Sequence, residues 1–205
     1  MMSKIKICGL TRMCDIEAVN QAMPDYIGFV FAKSKRQVDD QTAAALKSAL
    51  NGEINAVGVF VNDEISHIAK LCDECVIDLV QLHGDEDNEY IVKLKEEISV
   101  PIMKAIRVQT KEQVLSACRL SCDFLLLDTY CEKTYGGSGK AFDWTIIGKP
   151  DKPFFLAGGL HSDNIIDAIK MVHPYCVDIS SGVECNGLKD GYKISRIVKQ
   201  IRRIL

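Results

Sequence analysis

The sequence predicts one closed (β/α)8 barrel, α/β in class and compact, spanning residues 1–205 as a single domain. Three observations carry this. Eight short apolar runs recur along the chain, segments of helical spacing separate them, and glycine and polar residues gather just after the runs. A chain of 205 residues suits one sizeable core and is short for two. No linker or low-complexity tract divides it.

The apolar runs are Lys4–Cys8, Tyr26–Phe31, Ala56–Phe60, Ile77–Leu82, Ile102–Ile106, Phe124–Leu127, Phe154–Ala157 and Cys176–Ile179. Several are apolar almost without interruption, the pattern of parallel strands covered on both faces. Between them, Asp63–Cys72, Glu86–Ile98, Asp163–Val172 and Tyr192–Leu205 repeat their apolar residues at helical spacing. Ile194, Ile197, Val198, Ile201 and Leu205 show this in the last segment. Asp63, Thr110 and Asp163 are the candidate N-caps. An open nucleotide-binding sheet would place G-x-G-x-x-G after its first strand, whereas here Cys8-Gly9-Leu10-Thr11-Arg12 follows. Together with the count of eight strands, this favours the closed barrel.

Composition narrows the function. The net charge of -3 offers no electrostatic footprint for nucleic acid, and the basic run Lys199 to Arg203 reads as the C-terminal turn of a helix. No apolar stretch reaches the roughly 18 residues of a membrane span, and no signal-peptide apolar region precedes the first strand, so a cytoplasmic location is expected. The nine cysteines are an odd number in a long chain, unlike a secreted disulfide framework. Cys72 and Cys75 form a lone C-x-x-C near the end of an amphipathic helix, which reads as two small buried thiols rather than a metal site. No metal and no cofactor is expected.

Barrel enzymes place their reactive groups at the C-terminal ends of the strands. Those positions hold Cys8 after strand one and Ser34, Lys35 and Arg36 after strand two. Gln81, His83 and Gly84 follow strand four, and Asp128 follows strand six. Gly158-Gly159 and Ser180-Ser181-Gly182 end strands seven and eight. Backbone N–H groups of two glycine turns in those last units are expected to form a phosphate site, because no Cβ keeps an anion away.

These residues, in order, resemble the phosphoribosylanthranilate isomerase family. Lys6-Ile7-Cys8-Gly9-Leu10-Thr11-Arg12 is similar to that family's first-strand signature. Gly28-Phe29-Val30-Phe31, Val57-Gly58-Val59-Phe60, Gln81-Leu82-His83-Gly84, Gly136-Gly137-Ser138-Gly139 and Leu156-Ala157-Gly158-Gly159-Leu160 extend the match. Asp178-Ile179-Ser180-Ser181-Gly182-Val183-Glu184 and Gly187-Leu188-Lys189-Asp190 complete it over essentially the whole chain. Lys35 stands where the family usually has proline, and Cys185 beside Glu184 is treated as incidental.

The resemblance implies an Amadori rearrangement in tryptophan biosynthesis, converting N-(5'-phosphoribosyl)anthranilate to the corresponding aminoketose. Such a reaction needs an acid for the ring oxygen and a base for the C2′ proton; the substrate's own imine is the electron sink. Asp128 is the general-acid candidate, with Leu125, Leu126 and Leu127 expected to provide the apolar surroundings that keep a carboxyl protonated. Cys8 is the general-base candidate, its thiolate helped by nearby cations. Arg36 is expected to hold the anthranilate carboxylate through its planar fork, with Gln81 and His83 positioning substrate. Gly137, Gly158, Gly159, Ser181 and Gly182 are the expected phosphate contacts. The long loop Thr129–Lys140 reads as a lid.

Two other readings compete. The related histidine-pathway isomerase uses a first-strand aspartate and shows half-barrel repetition; this chain has Cys8 and no convincing repeat. A non-catalytic phospholigand-binding barrel would keep the phosphate turns and lose the acid–base pair, yet both Cys8 and Asp128 are present. Either a monomer or a homodimer is compatible with the resemblance.

Overall fold

Period-two alternation gives each strand two apolar faces, and the computed structural model resolves them into two cores. It describes residues 3–128 and 144–203. Eight parallel strands pair in sequence order and close, β8 returning to β1: β1 (Lys4–Cys8), β2 (Tyr26–Val30), β3 (Asn55–Phe60), β4 (Leu79–Leu82), β5 (Ile102–Arg107), β6 (Phe124–Asp128), β7 (Phe154–Ala157) and β8 (Cys176–Ile179). The helices are α1 (Met13–Ala22), α2 (Asp40–Ser48), α3 (Ile65–Asp73), α4 (Asn88–Glu97), α5 (Lys111–Ala117), α6 (Ile165–Val172) and α7 (Gly191–Arg202).

Outward-facing Ile5, Ile7, Leu125 and Leu127 pack under helix residues such as Ile16, Ile68, Leu94 and Ile194 in one continuous jacket. Inward-facing Tyr26, Val57, Leu79, Met103, Leu126, Phe155 and Cys176 fill the lower barrel as a second core. At its base the Tyr26, Phe124, Phe155 and Tyr175 rings pack with centroids 5.2 to 5.6 Å apart, and Lys4 lies over two of them. Aromatic pairs in such tilted and edge-on geometries add to the area they bury.

Thr110 caps α5 as expected, forming a capping box with Gln113. Two other expected caps are shifted. α3 starts at Ile65 after Glu64, while Asp63 accepts from the Glu64 N–H and pairs with His67. At α6, Asn164 holds the cap position, and its side chain closes the preceding turn onto His161 N–H and Gly159 O. Between β6 and β7 the described residues hold a 3-10 turn, Trp144–Ile147. Gly148, at φ +65°, and the prolines at 150 and 153 stop that turn from extending. No helix among the described residues is long and apolar enough to cross a membrane.

Candidate active site

The inward register that fills the lower barrel with hydrocarbon delivers polar groups two residues further along the same strands. Lys6 on β1 is fully buried, its ammonium 2.9 Å from Asp178 Oδ2 on β8 and 3.0 Å from Gln81 Oε1 on β4. Burial opposes that charge, but Asp178 and Cys8 together outweigh it and hold Lys6 above the ordinary lysine value. Gln81 Nε2 lies 2.8 Å from His83 Nδ1, and His83 Nε2 lies 4.0 Å from Asp128 Oδ2. A polar file therefore crosses the upper barrel from β8 to β6. The other oxygen of Asp178, Oδ1, is buried without a hydrogen-bond partner among the described residues and belongs to a pocket wall.

Cys8 ends β1 facing the same space. A Cβ on Gly28 of β2 would lie 2.7 Å from its sulfur, so glycine there keeps the thiol's flank clear. Burial pushes the Cys8 thiol up; Lys6 and Lys189 pull it down but do not overcome burial. The expectation that cations would favour the thiolate is thus half met. The cations are present, and desolvation outweighs them. The surroundings of Asp128 also differ from expectation. Leu125 and Leu127 face the outer jacket, and only Leu126 shares the inward face with Asp128, because strand alternation separates them.

Arg36, in the loop after β2, is held by Glu184: Nε to Oε1 at 2.7 Å and Nη2 to Oε2 at 3.0 Å. Lys189 donates to the same Glu184 at 2.6 Å and to Ser180 O at 2.9 Å. Glu184 and Lys189 sit on a short antiparallel hairpin, β9 (Glu184–Cys185) and β10 (Leu188–Lys189), joined by Asn186 and Gly187 at positive φ. Gly9, at φ +85°, lets the Arg36 stem pass, since a Cβ there would meet Arg36 Cδ at 2.5 Å.

The turns after β7 and β8 close the pocket. Gly158 and Gly159 adopt φ of +97° and +61°, conformations side-chain-bearing residues rarely take. Gly182 has another task. Its absent Cβ would fall on the Leu160 carbonyl oxygen, so glycine there lets the β8 turn seat against the β7 turn. The loop after β4 is pinned from below: Glu86 accepts from Asn62 N–H and Gly84 N–H, and buried Lys104 of β5 binds both Glu86 and Gly84 O.

Cys8, Arg36, Gln81, His83, Asp128, Gly158, Gly159 and Ser181 all line one cavity of about 410 Å³, within the usual size range of small-molecule sites. Gly182 stands just behind its wall. Gly137 and the proposed lid Thr129–Lys140 lie outside the described residues. In the sequence, Lys6, Asp178 and Lys189 are met only as members of the family motifs, without a role, and Glu184 is left outside the catalytic set. The Asn186-Gly187 pair, a hairpin signal, could have found the last two. Lys6 opens the first-strand motif, but nothing near it in sequence points to its partners on β4 and β8.

A thiol and a carboxyl at the ends of β1 and β6, with an oriented guanidinium and two glycine turns, are the equipment of a (β/α)8-barrel enzyme. Residues 5–200 match the family model of N-(5'phosphoribosyl)anthranilate (PRA) isomerase. The N-(5'-phosphoribosyl)anthranilate isomerase of Endomicrobium trichonymphae is 55% identical over 203 residues, covering 99% of this chain and 100% of the relative. The crystal structure of phosphoribosyl anthranilate isomerase from Thermotoga maritima superposes with a TM-score of 0.87 at 36% identity, over 98% of this chain and 100% of that one. A further isomerase structure, in complex with reduced 1-(o-carboxyphenylamino)-1-deoxyribulose 5-phosphate, superposes with a TM-score of 0.85 at 33% identity, over the same shares. The chain belongs to the N-(5'-phosphoribosyl)anthranilate isomerase family.

Proposed function

We propose that residues 1–205 form one catalytic barrel that converts N-(5'-phosphoribosyl)anthranilate to 1-(2-carboxyphenylamino)-1-deoxyribulose 5-phosphate, in tryptophan biosynthesis. The observation that carries this is the convergence of Cys8, Asp128, Arg36 and the two glycine turns on one cavity. The ligand held by the structural relative has a carboxylate at one end and a phosphate at the other. Here Arg36 serves the first and the backbone N–H groups of the Gly158, Gly159, Ser181 and Gly182 turns serve the second, with Gly137 as a further contact from the β6 loop. Glu184 holds the Nε edge of the guanidinium, leaving Nη1 to face a ligand carboxylate.

Asp128 protonates the ring oxygen as the C1′–O bond breaks, leaving a cationic imine. Cys8 then removes the C2′ proton, and the electron pair moves toward the imine to give an enolamine that becomes the aminoketose. Cys8 must enter this step as the thiolate; burial raises the thiol, whereas Lys6 and Lys189 pull it down, and the positive charge of the imine acts in the same direction as the two lysines. Gln81 and His83 position the sugar between the two groups.

Freshly generated phosphoribosylanthranilate should lose its anthranilate fluorescence in the presence of the protein, with the aminoketose identified by NMR. Folded protein that leaves the substrate's decay unchanged would overturn this reading and favour a barrel that only binds phosphorylated ligands.

A further inference from the structure

The carboxylate end and the phosphate end of the cavity are joined through one buried ammonium. Lys189 on β10 is 8% exposed, and its Nζ lies 2.6 Å from Glu184 Oε1, 2.9 Å from Ser180 O and 3.3 Å from Ser180 Oγ. The Ser180 hydroxyl donates to Cys8 O at 3.1 Å, so its oxygen is an acceptor toward Lys189. Three acceptors then use all three protons of the ammonium. Burial lowers the Lys189 value, Glu184 and Cys8 oppose it, and Arg36 acts with burial. Ser180 opens the turn after β8, and Glu184 ends it and holds Arg36 at 2.7 and 3.0 Å. Lys189 thus closes that turn at its base. Arg36 and Lys189 share one carboxylate, so the three groups carry one net positive charge. The hairpin is itself anchored on both strands. Lys189 O accepts from Arg12 Nη2 at 2.8 Å, with Arg12 locked on Asp15 in the first turn of α1, and Glu184 O accepts from Lys193 Nζ of α7 at 2.6 Å.

We propose that Lys189 is a positioning residue that fixes the span between the two anion-binding ends of the site, and so selects ligands whose carboxylate and phosphate lie that far apart. Its bonds to Ser180 set the turn that serves the phosphate, and its bond to Glu184 sets the carboxylate that aims Arg36. A ligand with both anions gains from the second contact only if the two sites stand at the right separation when the first is made. This inference rests on Arg36 serving the carboxylate and the β8 turn serving the phosphate in the proposed reaction. Lys189 touches neither anion; it acts through Glu184 and Ser180.

The test measures dissociation constants for three probes: anthranilate, ribulose 5-phosphate, and the reduced 1-(o-carboxyphenylamino)-1-deoxyribulose 5-phosphate that joins them. Calorimetry serves the joined analogue and NMR titration the weaker fragments. Binding is read rather than turnover because Lys189 also pulls the Cys8 thiol down, and kcat would mix the two effects. The hairpin stands outside both apolar cores, so Lys189→Met, close to lysine in length, should fold. It should weaken the analogue roughly ten- to a hundredfold and each fragment by no more than about threefold, because only the joined ligand feels the span. Lys189→Gln, which keeps a donor toward Glu184, should fall between and carries the test if the methionine variant does not fold. Glu184→Gln is the contrast: it loosens Arg36 itself and should weaken anthranilate and the analogue together while sparing ribulose 5-phosphate. Analogue affinity within about threefold of wild type in the folded Lys189 variants would overturn the proposal. So would fragments weakened as much as the analogue, since Lys189 would then support each end separately. Both results leave the proposed function intact, whereas a wild type that binds no analogue would overturn that function and this inference with it.

Discussion

The two halves of the barrel interior are built from the same strands in the same register and have opposite characters. The lower half is closed by Tyr26, Phe124, Phe155 and Tyr175 around Leu79, Met103 and Leu126. Two residues further along, Lys6, Gln81 and Asp178 occupy the equivalent inward positions, and His83, Cys8 and Asp128 follow at the mouth. Burying a lysine and an aspartate there costs solvation that only their pairing offsets. The lower half therefore supplies stability, and the upper half surrenders some of it to hold chemistry in place.

That division can be broken from either side. Phe155→Ala opens a hole in the lower core and should cost about 3–5 kcal/mol of stability by denaturant unfolding. The folded fraction should keep the wild-type KM; a changed KM would show that the halves are not separable. Gly182→Ala forces a methyl against the Leu160 carbonyl and should cost about 1–3 kcal/mol. It should also raise KM, because both phosphate turns shift, and unchanged melting and KM would remove the packing role given to Gly182. Arg36→Lys keeps the charge but loses the fork that Glu184 orients, and should raise KM roughly tenfold with a smaller change in kcat.

The smallest effect lies outside the barrel. His67 on α3 sits between Asp63 and Asp40, 2.9 Å from each, and although burial works against its charge, the two carboxylates raise it. A histidine raised on folding contributes stability that is fully present below its unfolded value, near 6.5, and is lost as pH rises through the folded value. His67→Gln should thus lower the thermal midpoint most in mildly acidic buffer and least at alkaline pH, by less than about 1 kcal/mol. A deficit that grows with pH would contradict the pairing.

The jacket was legible because outward-facing residues repeat with one period along every strand, and each expected strand is found within a residue or two of its place. The placement of the candidate residues round the mouth was legible too, because Cys8, Arg36 and Asp128 follow strand ends, and all three line the cavity. What escaped was partnership. Leu125 and Leu127 looked like neighbours of Asp128, although alternation puts them on the other face. Glu184 looked like part of a turn, although it holds Arg36 from 148 residues away. Lys6 entered only as the first residue of the β1 motif, although its partners at 81 and 178 lie on strands β4 and β8. Contacts so distant in sequence leave no local pattern.

The central claim is that Cys8 and Asp128 form the acid–base pair. Its most direct test is the single-turnover decay of anthranilate fluorescence for wild type, Cys8→Ser and Asp128→Asn, each at saturating enzyme. Both variants should fold and bind, and each should react about 10²–10⁴-fold more slowly than wild type, the usual contribution of a positioned acid or base. A rate within a few-fold of wild type in either variant would contradict the account and assign that proton to another group.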